Sequence, residues 1–88
     1  MTFVPKLVSM DAKYSEDERI YLEKIGNKIR ELRSKANLSQ EKLSYACDLD
    51  RTYIGSVERG ERNISVINLQ KIAVALNVEV SVLLNFEE

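Results

Sequence analysis

One local pattern recurs three times in this chain and leaves it little choice of fold: an apolar residue, a capping residue directly after it, and a second apolar residue five positions beyond the first. Leu38-Ser39 with Leu43, Leu49-Asp50 with Ile54, and Ile64-Ser65 with Leu69 all have this form. The capping oxygen accepts a hydrogen bond from an otherwise unpaired N–H of the first helical turn, and the apolar pair staples the chain entry to the helix. Each copy therefore predicts a helix start. Val78-Glu79 with Leu83 is a weaker fourth copy, because glutamate caps poorly, and it predicts a short last helix.

Upstream, Ile25, Ile29, Leu32 and Ala36 step by four, three and four, which puts them on one helix face. Ser15-Glu16-Asp17-Glu18 has the form of a capping box, so this first helix either runs unbroken from about Glu16 or breaks near Gly26. Gly60 and Asn77 suit the left-handed conformation that ends helices. The links are short and no strand-like alternation competes, so the expected class is all-α with five helices. Residues 1–14 hold Phe3, Val4, Leu7, Val8 and Met10 without a clean period, and Pro5 is placed to open a short helix. They are read as an N-terminal extension, a frayed tail in preference to a packed arm. Residues 15–88 are read as the folded domain.

With 88 residues, of which 44% are hydrophobic and 31% charged, there is room for one small domain that gains stability from dimerisation. Cys47 is the single cysteine and histidine is absent. No internal disulfide and no zinc site of the Cys/His kind is expected, nor any cofactor. A membrane span or secretory leader is also unsupported, so a cytoplasmic protein is expected. The net charge of −1 argues against indiscriminate coating of nucleic acid. Lys24, Lys28, Arg30, Arg33 and Lys35 nevertheless crowd a stretch that holds only Glu31 against them. That stretch is either a solvated helix face or a local basic patch. An enzyme is disfavoured: there is no histidine, no phosphate-cradling glycine loop and no carboxylate pair with an evident pocket.

Helices 2 and 3 are joined only by residues around Asp48-Leu49-Asp50, the arrangement of a helix-turn-helix whose second helix enters the major groove. On that helix Ile54 and Val57 suit packing against Leu43 and Cys47, and Arg51, Thr52, Gly55, Ser56 and Arg59 form the opposite stripe. Arginine can donate two hydrogen bonds to guanine, and threonine offers a hydroxyl and a methyl to base edges. Arg51 and Thr52, with Ser56, are therefore the candidate base readers. Gln40, at the start of helix 2, is either a phosphate anchor or a surface glutamine. Tyr53, Arg59, Arg62 and Asn63 are further phosphate-contact candidates; the Tyr53 ring either packs under the helix or fills a gap.

Glu58 falls on the inner side of helix 3, where a carboxylate needs a partner, and Arg33 is the candidate for a salt bridge. Cys47 reads as a small core residue. The C-terminal run Val80, Val82, Leu83, Leu84 and Phe86 is more apolar than a short helix can bury, so Val80, Leu84 and Phe86 are expected at a homodimer interface. A two-fold dimer would set its recognition helices roughly 34 Å apart and read a near-palindromic operator in double-stranded DNA.

The run Leu38-Ser39-Gln40-Glu41-Lys42-Leu43, then Ile54 to Gly60, then Leu76-Asn77-Val78 and Leu83-Leu84-Asn85 resembles the lambda-repressor-like helix-turn-helix family over about residues 22–86. The resemblance implies that Gln40, Arg51, Thr52 and Ser56 touch DNA and that Arg33 pairs with Glu58. Within the family, Leu49 to Ile54 followed by Glu58-Arg59-Gly60-Glu61-Arg62-Asn63 is similar to the controller proteins of restriction–modification systems. It implies a dimer that acts at its own promoter and that of the endonuclease, in concert with RNA polymerase. The Gly55-Ser56 order, the N-terminal extension and the acidic Glu61 depart from that pattern. Other regulators of the same fold, a phage-type repressor or an antitoxin, are the neighbouring readings, and a protein-interaction module without DNA binding is the more distant one.

Overall fold

The computed structural model describes residues 13–87, and the expectation of a frayed tail over residues 1–14 lies almost wholly outside them. Five helices follow in order: α1 (Glu16–Lys35), α2 (Gln40–Cys47), α3 (Arg51–Glu58), α4 (Val66–Ala75) and α5 (Val80–Leu83). No strand occurs among the described residues.

The caps sit where the sequence signature puts them. Ser39, Asp50 and Ser65 accept from the backbone N–H of Lys42, Thr52 and Asn68 at 3.0, 2.7 and 3.1 Å. Leu38, Leu49 and Ile64, the apolar halves of the staples, all pack against the core. Glu79 makes no side-chain cap bond, and α5 is only four residues long. Ser65→Ala should therefore cost about 1 kcal/mol of stability. Urea unfolding should show a lower midpoint at an unchanged slope, because one hydrogen bond is lost without altering the area exposed.

α1 is a single unbroken helix of 20 residues that opens on a complete capping box, with Glu18 N–H donating to Ser15 Oγ and Ser15 N–H to Glu18 Oε1. A break at Gly26 does not occur. This glycine lets the end of α3 lie directly on α1: a methyl there would overlap the Val57 carbonyl oxygen and come within 2.5 Å of that of Glu58. Gly60 and Asn77 adopt positive φ of 75° and 60°, and so do Asn37 and Asp48, at 58° and 56°. One core cluster joins the bundle, built around Ile29, Leu43, Ile54, Ile72 and Leu83, each with no exposed surface. Burying side chains of this size contributes about 1.5–3 kcal/mol apiece. α2 packs on α3 and α4, and α1 on α3 and α5, so α3 is gripped along its length with its N-terminal turn left open.

Candidate nucleic-acid interface

The turn between α2 and α3 is built from three residues with separate tasks. Asp48 takes the left-handed conformation that ends α2, and the Leu49 N–H returns to the Ser44 carbonyl at 3.1 Å while its side chain enters the core. Asp50 then caps α3. This tight corner presents the first turn of α3, with Arg51 and Thr52 exposed and their neighbour Ile54 wholly buried.

The middle of the expected stripe is less open. Gly55 and Ser56 are both buried, because α3 is only eight residues long and is packed from more than one side. Ser56 is 6% exposed and its hydroxyl donates to the Tyr53 carbonyl at 2.8 Å. Its side chain is thus folded onto its own helix and does not stand on the outer face. Gly55 lies beneath two long side chains: a methyl placed on it would meet Arg59 Nη1 at 3.3 Å and Gln40 Oε1 at 3.6 Å.

Below this face lies a carboxylate cluster. Glu58 is 1% exposed. Arg33 grips it with both sides of its guanidinium, Nε donating to Oε2 at 2.6 Å and Nη2 to Oε1 at 3.0 Å, while Nη1 donates to the Leu38 carbonyl at 2.8 Å. Arg30 Nε stands 3.6 Å from Oε1, and Arg30 Nη2 donates to the Glu58 carbonyl at 3.2 Å. Gln40 Nε2 donates to Oε1 at 2.9 Å. Burial pushes the Glu58 carboxyl up, but the hydrogen bonds from Arg33 and Gln40 and the charges of Arg33 and Arg30 together outweigh it and hold the group below its ordinary value. The hydrogen bond to Glu58 likewise raises Arg33. The cluster ties α1, the start of α2 and the end of α3 into one unit.

The sequence gives little hint of Gln40 joining this cluster, although Arg30, one turn from Arg33, is a visible signal for a second cation. The basic stretch of α1 is largely engaged within the fold. Besides the two arginines on Glu58, Lys28 and Lys35 pair with Glu31 at 3.9 and 3.2 Å, and Lys24 stands 5.9 Å from the Phe86 ring centroid.

Tyr53 is half-buried against the core, and its hydroxyl accepts from Asn68 Nδ2 on α4 at 3.2 Å. The Arg62 guanidinium lies over its ring, 5.5 Å from the centroid. Arg59 is exposed and makes a two-pronged ion pair with Glu61. Asn63 is exposed and lines a shallow cleft beside Tyr14, Asp17 and Glu18.

Val80 and Phe86, expected at a subunit interface, pack against their own core. Phe86 folds back edge-on to Tyr21 at 5.7 Å between centroids. Leu84 is 38% exposed, whereas α4 exposes Val66, Ile67 and Val74 by 76, 69 and 66%. The main surplus of apolar surface is therefore on α4. Cys47 is buried in the core, and burial raises its thiol. Among the described residues no cluster of side chains is arranged to hold a metal ion, and no helix is long and apolar enough to cross a membrane.

Comparison with known proteins agrees with this geometry. A helix-turn-helix family model matches residues 29–83. The control protein C.BamHI of Bacillus amyloliquefaciens is 55% identical over 62 residues, 69% of this chain and 76% of the relative. The crystal structure of the restriction–modification controller protein C.AhdI from Aeromonas hydrophila superposes with a TM-score of 0.70 at 50% identity, covering 70% of this chain and 94% of that one. The C.Esp1396I controller, solved as a tetramer on its natural 35-base-pair operator, superposes with a TM-score of 0.67 at 36% identity, covering 72% of this chain and 83% of that one. The chain belongs to the helix-turn-helix family of DNA-binding transcription regulators, which are not enzymes, and within it resembles the controller proteins of restriction–modification systems.

Proposed function

We propose that this protein is the controller of a restriction–modification system, which acts in the cytoplasm on its own promoter and that of the endonuclease. The observation that carries the reading is the open first turn of α3, where Arg51 and Thr52 stand exposed on a rigid, capped corner. These two residues read base edges, Arg51 by a forked pair of hydrogen bonds to guanine and Thr52 through its hydroxyl and methyl. Ser56 donates its hydroxyl proton to the Tyr53 carbonyl and, while that bond holds, can meet a base edge only as an acceptor. Gln40, Arg59, Arg62 and Asn63 anchor phosphates, helped by the first-turn amides of α2 and by Tyr53, whose ring carries Arg62.

The protein binds as a two-fold dimer through the apolar surface of α4 and the adjoining segment from Val80 through Leu84 to Phe86, and its operator is near-palindromic. Activation then follows from contact with RNA polymerase at a neighbouring site. Arg51→Ala should weaken operator binding by about 1–3 kcal/mol and relax discrimination at one base pair in each half-site. Titration of the variant against a set of single-base operator changes measures this. An equal loss on random DNA would assign Arg51 to the phosphates instead.

A further inference from the structure

Glu61 is an acidic residue on the side of the molecule that the DNA reading turns toward phosphates. Its position is built. Gly60 takes a φ of 75°, a conformation that favours glycine, and a methyl on it would lie 2.6 Å from Glu23 Cγ. This turn brings the Glu61 N–H back to the Ser56 carbonyl at 2.9 Å. The carboxylate is thereby set beside Arg59, where Nε donates to Oε2 at 3.0 Å and Nη2 to Oε1 at 3.1 Å. Both side chains are more than half exposed.

The pair has two properties at two ranges. Seen from afar it is neutral. Nonspecific binding to DNA is almost wholly a matter of charge and counterion release, so a neutral pair adds nothing to it. At close range the guanidinium still has three of its five N–H donors free of the carboxylate, and Nη1 lies over Gly55, on the face that α3 presents. These donors act only when the helix is seated closely enough for hydrogen bonds to form.

Resting on the DNA-binding reading above, we propose that Glu61 is a specificity-determining residue: it converts Arg59 from a long-range charge into a short-range contact that operates only in the closely docked complex. The chain's net charge of −1, and the engagement of the α1 cations by Glu58 and Glu31, fit a protein that limits its attraction to random DNA.

The test uses the full chain with DNA from upstream of its own gene and a scrambled duplex, titrated at about 50 and 200 mM salt. Glu61→Gln frees the charge of Arg59. It should tighten binding to the scrambled duplex by about threefold, steepen the salt dependence there by about 0.9 in log–log slope, and change operator binding less, so that the preference falls. Arg59→Ala combined with Glu61→Gln removes the pair without a net charge change. It should weaken operator binding by a larger factor than it weakens binding to the scrambled duplex. The preference surviving in Glu61→Gln, or equal losses on both duplexes in the double variant, would overturn the proposal alone. A wild type with no preference between the duplexes would remove the DNA reading and the proposal together.

Discussion

Gly26→Ala should lower the stability of the domain by about 3 kcal/mol or more, the upper end of what overpacking costs. Alanine is the better helix former by about 1 kcal/mol, so an isolated α1 would gain from the change. The gain is outweighed because the added methyl would collide with the backbone carbonyls of Val57 and Glu58, which cannot rotate away as a side chain can. α1 would have to lift from α3, opening the core at Ile25 and Ile29. In a domain of this size such a loss is a large part of the total stability. Urea and thermal unfolding followed by circular dichroism measure it. An alanine variant as stable as the wild type would show that the two helices are not in such close contact.

Glu58→Ala should cost about 3–5 kcal/mol, the range for breaking a buried ion pair by removing one partner. Arg33, whose side chain is 14% exposed, would keep its charge without the carboxylate, and Gln40 would lose its acceptor. The same cluster gives the domain an acid limit. The folded-state value of Glu58 lies below the ordinary 4.5, so the unfolded chain takes up the proton first as pH falls. The stabilisation is complete above about pH 4.5 and is lost as pH drops through the lower folded value. Stability measured against pH should therefore decline in this acid range for the wild type, and less so in a Glu58→Gln variant, which has no carboxyl to titrate. An equal decline in both would assign the acid sensitivity to other carboxylates.

Much of this architecture is legible in the sequence because it is local. A cap and its staple lie within a few residues, and so the starts of α2, α3 and α4 can be read directly. The inward placement of Glu58 and its pairing with Arg33 were also accessible, since an acid on the inner face of a helix requires a cation. What depends on several helices meeting is harder to see. Whether Ser56 faces outward is decided by the helices that grip α3, and not by its position on a helical wheel. The basic run of α1 looks free in the sequence, yet Arg30 and Arg33 are held by Glu58, 28 and 25 residues further on, Arg30 through the Glu58 backbone carbonyl and Arg33 through the Glu58 carboxylate. Phe86 similarly finds Tyr21 at the far end of the chain, which leaves α4 with more exposed apolar surface than the tail.

The central claim, sequence-specific binding at the protein's own promoter, is tested most directly by a fluorescence-anisotropy titration of the wild type against the DNA upstream of its gene. A scrambled duplex of equal length belongs alongside, at physiological salt. A preference of about a thousandfold or more is expected. Weak binding of equal strength to both duplexes would contradict autoregulation, although the helix-turn-helix fold itself would stand.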